Sequence, residues 1–222
     1  MERRGTCSLV PQMEGDERTI GRRREEEYRF GRILAISDGV FAFSLTLLVV
    51  ELVVPTSSSN SVLTSQLLGQ WPELFSYLIS FAVVAMTWNS HYETFRVVRR
   101  TDGWLVVLNF ALLLLVAFLP FPTAVLGRNQ NESAAAVVYA VTLTLINLAN
   151  AAIWWYATRG HRLVDRDLDR RIVKKRFSRL AIGTAVFLVS IPVALWQPYF
   201  AEIMWVPLFG VVLLIRTDTR AR

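Results

Sequence analysis

The chain has 222 residues, 53% of them apolar, and several apolar runs approach or exceed the ~20 residues a helix needs to cross a bilayer. A soluble domain of this length needs no such runs, so the composition excludes one and points to an integral membrane protein built as a single helical domain. The formal net charge of +6 does not read as a nucleic-acid footprint, because the basic residues cluster between the apolar runs, where they set membrane orientation.

Residues 1–30 form a polar leader rich in Arg and Glu. It lacks the apolar core of a cleavable signal peptide, so the first span is expected to act as the insertion signal. The leader is expected to be cytoplasmic and disordered. Its lone Cys7 has no partner for an intrachain disulfide and no ligand set of zinc-site type.

Six spans follow, over about 31–54, 71–91, 103–126, 134–157, 178–196 and 199–215. They make a transmembrane domain over 31–216, with a cytoplasmic tail at 217–222. The first span stops at Pro55, and the third carries Pro120 and Pro122 near its far end. The fourth ends in Trp154-Trp155-Tyr156, an aromatic belt. Pro192 is expected to kink the fifth, and Trp196-Gln197-Pro198 leaves only a tight hairpin before the sixth. Residues 162–176 mix charge signs around a thin apolar stripe and read as a helical extension of the fifth span, in solvent or on anionic headgroups.

Loop charge alternates across these spans. The leader, the connection with Arg96, Arg99 and Arg100, the loop over 158–177, and the tail are rich in Lys and Arg. Residues 55–70 and the last hairpin have none, and the third-to-fourth loop has only Arg128. Both termini are therefore expected in the cytoplasm. The preponderance of Arg over Lys suggests a GC-rich bacterial genome, on composition alone; a multi-pass protein of a bacterial inner membrane is expected. No internal repeat is visible, so an inverted-repeat transporter design has no support. The Walker and Rossmann glycine patterns, a Gly-x-Ser-x-Gly elbow, a histidine metal pair and the Thr-Val-Gly-Tyr-Gly filter are all absent. No metal and no cofactor is expected, and an enzyme is disfavoured.

The most informative segment is the first span. It opens with Arg32-x-x-x-Ile36-Ser37-Asp38, followed by Gly39-Val40-Phe41-Ala42 and Thr46-Leu47-Leu48. A charge at the start of a span is costly, and is usually retained because it pairs internally or serves a water-filled path. The segment resembles the Arg-x-x-x-Phe-Ser-Asp signature of the transmembrane protein 175 potassium-channel family, in its prokaryotic six-helix form. Trp88-x-x-His91, Phe95-Arg96, Asn109 and Leu119-Pro120-Phe121-Pro122-Thr123 extend the resemblance over roughly 29–127. Ile36 replaces the usual Phe and keeps the hydrophobic bulk.

The resemblance implies an all-α six-helix bundle that forms a homotetramer in membrane lipid, with the first helices around a central axis. Apolar side chains on those helices would select potassium ions. Carried over by offset from Asp38, the ring positions are Phe43, Leu47 and Val50, with the Thr46 hydroxyl between. Phe43 departs from the family's Ile or Leu at its narrowest ring, so four phenyl rings here either plug the axis or turn edgewise.

Helix geometry supports the mapping. Phe43, Leu47 and Val50 follow an i, i+4, i+7 spacing and form one stripe. Asp38 lies about 140° from Phe43 around the helix, so its carboxylate is expected to point into the subunit as a clamp. Arg32, Ser37 and Asp38 then need partners, for which Trp88, His91 and Asn109 are the polar-capable side chains at the right depth. Asn147 and Asn150 suit interhelix hydrogen bonding. Glu51, one residue past Val50, is a candidate for attracting cations at the outer mouth. Two alternatives stay open: a proton-coupled transporter using Asp38 and His91, and an assembly protein whose first helix only packs.

Overall fold

The computed structural model is all-α and describes residues 10–52, 55–56 and 59–205. The chain divides into two compact units, Met1–Ile36 and Ser37–Arg222. Helix α1, Val10–Val50, contributes to both.

In the first unit the described residues belong to α1. For residues 10–30 this departs from the expectation of a disordered leader, since the helix already runs from Val10, while residues 1–9 lie outside the described residues. Its residues explain why: Glu and Arg are good helix formers, and pairs such as Glu25–Arg29, 3.0 Å apart, bridge successive turns.

The second unit continues with α2 (Asn60–Gly69), α3 (Trp71–Val97), α4 (Gly103–Phe118), α5 (Pro120–Arg128), α6 (Ser133–Thr158) and α7 (Arg170–Trp196). Among the described residues, four helical stretches are long and apolar enough to span a membrane, counting α4 and α5 as one, and there are five if the bent pair α2 and α3, with 45° between them, is one span. Five of the six expected spans therefore have a counterpart. Of the sixth, residues 198–205 are helical, and the remainder lies outside the described residues.

Three boundaries differ from expectation. The connection before the second span contains α2, and α3 runs six residues past His91 to Val97. The third span is broken at Leu119, where Pro120 and Pro122 remove backbone donors. Leu119 stays in the right-handed helical region (φ −56°, ψ −34°), so the chain continues from α4 into α5 without a loop. The proposed helical extension over 162–176 begins only at Arg170. Asp169 caps that start by accepting from the Arg171 N–H at 2.8 Å. The residues before it are held otherwise: Val164 bridges Val98, and Arg99 pairs with Asp165 at 3.1 Å. Helix α7 runs through Pro192.

Helix α6 is the hub, touching α3, α4, α5 and α7. Its buried Ala135, Ala136, Ala140 and Ala157 let neighbouring backbones approach closely, the usual basis of helix association in lipid. The same economy operates between α3 and α5. A Cβ on Gly127 would lie 3.0 Å from the Glu73 Cα, so those two helices meet backbone to backbone. Tyr139 reaches across the core to Ser80 at 2.8 Å, and Ser80 also accepts from Thr123 at 2.8 Å. These isolated hydroxyls carry no sequence pattern and were not anticipated.

Candidate functional site

Helix α1 from Ser37 onward has two unlike faces. Ser37, Phe41, Ser44 and Leu48, spaced i, i+4, i+7, i+11, are buried to 1% exposure or less. On the other side Phe43 is 62% exposed and Val50 72%. Gly39 and Thr46 are exposed beside them, while Leu47 is half-buried at the edge. The chain thus leaves uncovered the stripe assigned to ring positions. Gly39, one turn before Phe43, shares it; it was quoted from sequence as part of the signature but not assigned a ring position. The Thr46 hydroxyl donates to the Phe43 carbonyl at 2.7 Å, so its proton is engaged with the helix and its oxygen remains an acceptor.

The buried face is held by a polar chain. Asn109 of α4 donates through Nδ2 to the Ser37 Oγ at 2.9 Å. Its Oδ1 accepts from Nε2 of His91 on α3 at 2.8 Å, which makes Nε2 the protonated ring nitrogen in this arrangement. All three side chains are nearly fully buried. The His91 ring lies between Phe95, 4.3 Å between centroids, and Phe41, 5.5 Å. A buried hydrogen-bonded network of this kind fixes one helix arrangement, because each orphaned partner would be costly.

Asp38 is placed differently from expectation. Its carboxylate lies on the far side of α1 from Phe43 and accepts from the Trp88 indole N–H of α3 at 2.8 Å. The residue itself is exposed in the single chain, so the buried charge inferred from sequence is a surface carboxylate clamped by an indole. Trp88 is braced by stacking on Tyr92 at 5.9 Å. The contact seen for Arg32 is a cation–π approach to Tyr28, 5.9 Å to the ring centroid. Ser37, Asn109 and His91 are therefore one group, Asp38 and Trp88 a second.

Glu51, just past the end of α1, is not a free carboxylate. Arg128 of α5 reaches both its Oε2, at 3.4 Å, and its backbone carbonyl, at 3.3 Å. At the opposite end, Asp102 caps α4 by accepting from the Leu105 N–H at 2.9 Å. It also accepts from the Tyr156 hydroxyl at 2.6 Å and pairs with Arg162 at 3.3 Å. Desolvation pushes the Asp102 carboxyl up, but the bonds from Tyr156 and Leu105 and the Arg162 charge outweigh it and hold the group below its ordinary value. Asp102 was not singled out from sequence.

Among the described residues no group of His, Cys, Asp and Glu is arranged to hold a metal ion. The site is an uncovered apolar stripe on a helix whose opposite face is rigidly bonded.

Comparison with known proteins places this arrangement. A family model described as the endosomal/lysosomal potassium channel TMEM175 matches residues 32–120. A protein of Streptomyces collinus described as a potassium channel is 35% identical over 168 residues, covering 74% of this chain and 82% of that one. This chain belongs to the TMEM175 family. A second relative within it, a potassium channel of Chamaesiphon minutus, is 37% identical over 170 residues, covering 74% of this chain and 84% of its own length. The crystal structure of a lysosomal potassium-selective channel TMEM175 homolog from Chamaesiphon minutus superposes with a TM-score of 0.75 at 32% identity. That match covers 84% of this chain and 97% of the other. The family expected from the first span is the family found. With its several apolar helices, this TMEM175 member is a multi-pass membrane protein, and its relatives are described as channels rather than enzymes.

Proposed function

We propose that the protein is a passive, potassium-permeable cation channel of the bacterial inner membrane, a homotetramer with both termini cytoplasmic and four copies of α1 around one axis. The observation that carries this reading is the uncovered stripe with Phe43, Thr46 and Val50, lying opposite the buried face pinned by Ser37. One helix cannot surround a pore, so the stripe acquires a role only when copies face each other. The description of its relatives as potassium channels supports the choice of ion.

The selecting surface is apolar. Ions shed part of their hydration between rings of Phe43, Leu47 and Val50, and the smaller, more strongly hydrated sodium loses more by doing so. The Thr46 oxygen offers a weak acceptor between the rings. Because Glu51 shares its charge with Arg128, a ring of such pairs attracts cations only mildly. The reading requires no cofactor and no catalytic group; potassium is the permeant ion. His91, closed in by Phe41, Phe95 and Asn109, is poorly placed for the proton exchange that a transporter asks of it.

Purified protein in liposomes tests this directly. The proposal expects potassium efflux that follows the potassium gradient and needs no pH gradient. Saturating flux that moves protons in step with potassium would replace the channel with the transporter.

A further inference from the structure

Helix α7 carries two faces that differ along its whole length. Toward the bundle lie Arg176, Phe187, Ser190 and Ala194. Arg176 is engaged there: it donates to the Ser90 carbonyl and to the Thr94 hydroxyl, and lies 4.5 Å over the Trp154 ring. The outer face begins with Arg171, Lys174 and Lys175 and continues with Ile182 and Val189. At 100° per residue these five fall within an arc of about 100°.

All five are exposed, Ile182 at 58% and Val189 at 53%. Three other cations at this end of the bundle are engaged: Arg99 with Asp165, Arg162 with Asp102, and Arg159 over the Trp155 ring at 4.7 Å. The side chains of Arg171, Lys174 and Lys175 make no ion pair among the described residues. Asp169, which precedes them, spends its carboxylate on the helix cap. Three unneutralised cations thus stand directly above an uncovered aliphatic stripe. From Lys175 to Val189 the helix rises roughly 21 Å, about half of a ~40–45 Å bilayer with its headgroup regions included. The stripe therefore runs along one leaflet.

We propose that this face of α7 binds an anionic phospholipid of the inner leaflet, its phosphate held by Arg171, Lys174 and Lys175 and an acyl chain laid along Ile182 and Val189. The leaflet assignment rests on the orientation proposed above; the binding does not. Charge complementarity selects a phospholipid of net negative charge over a zwitterionic one. The apolar stripe selects a lipid over free phosphate, which gains nothing from Ile182 and Val189.

The test is lipid retention by the purified full chain in mild detergent, read by native mass spectrometry and by thermal stability. The additions are dioleoyl phosphatidylglycerol, dioleoyl phosphatidylcholine or inorganic phosphate. The proposal expects retained, stabilising phosphatidylglycerol, little phosphatidylcholine, and no stabilisation by inorganic phosphate. Arg171→Gln/Lys174→Gln/Lys175→Gln should weaken phosphatidylglycerol binding by about a hundredfold. Arg100→Gln/Arg166→Gln, which removes exposed charge away from the stripe, should leave it unchanged. If the triple variant cannot be recovered, Lys174→Gln alone should weaken it by about fivefold. Equal retention of the two lipids, or equal losses in the triple and control variants, would overturn the site. The assay involves no ion gradient and no membrane sidedness, so its failure leaves the channel reading standing, and failed flux leaves the lipid site standing.

Discussion

The Trp88 indole N–H meets the Asp38 carboxylate at 2.8 Å on the side of α1 turned away from Phe43. The pair therefore ties α3 to α1 without touching the exposed stripe. Asp38→Ala should then reduce tetramer recovery in mild detergent more than it changes ion preference. Trp88→Phe keeps the ring and deletes the donor; it should cost about 1–2 kcal/mol, the low end for a hydrogen bond to a charged group because the pair is partly solvated. Thermal unfolding and flux on the same preparations check both. A fully stable Asp38→Ala tetramer with altered ion preference would put this carboxylate in the permeation path.

Asp102 gives a pH dependence with a definite sign. Its carboxyl is held below its ordinary value in the folded chain by Tyr156, Leu105 and Arg162. A depressed carboxyl contributes stability that is fully present above the unfolded value and is lost as pH falls through the folded one. The stability difference between wild type and Asp102→Asn should therefore be constant around neutrality and close only in acid, below about pH 4. Thermal unfolding of both proteins across pH measures it. A difference that widens on acidification would contradict the assignment.

Much of this was legible in the sequence, and the failures have physical reasons. Apolar run length and the alternation of Lys and Arg placed α3, the α4–α5 pair, α6 and α7, because lipid imposes the same demand on every span. The pairing of Ser37, Asn109 and His91 was anticipated because a polar side chain at membrane depth must find another. Arg128 was missed as the partner of Glu51, since 77 positions separate them and only folding joins them. The same holds for Asp102 and Tyr156, 54 apart. The helix over residues 10–30 was not anticipated because polarity was read as disorder, although Glu and Arg also favour helix. Helix α2 was overlooked because ten residues with Ser and Thr resemble a connection.

Orientation is testable without any flux. In a Cys7→Ser background, a cysteine at Asn131, in the exposed turn between α5 and α6, should react with an impermeant thiol reagent added to intact cells. One at Asp167, between α6 and α7, should react only after lysis. Labelling of the Asp167 site in intact cells would invert the proposed topology.

The central claim is that the uncovered face of α1 selects the ion, and Phe43 tests it most directly. In the proposed tetramer four phenyl rings at one level would make the narrowest place, so Phe43→Ala should widen it and let sodium keep more of its water. Reversal potentials under mixed potassium and sodium gradients, measured beside the thermal stability of the tetramer, give the answer. The account predicts larger potassium currents and a permeability ratio that falls toward unity, with the assembly intact. An unchanged ratio with stability lowered by roughly 3–5 kcal/mol, as for truncation of a packed Phe, would contradict it and make the stripe a packing surface.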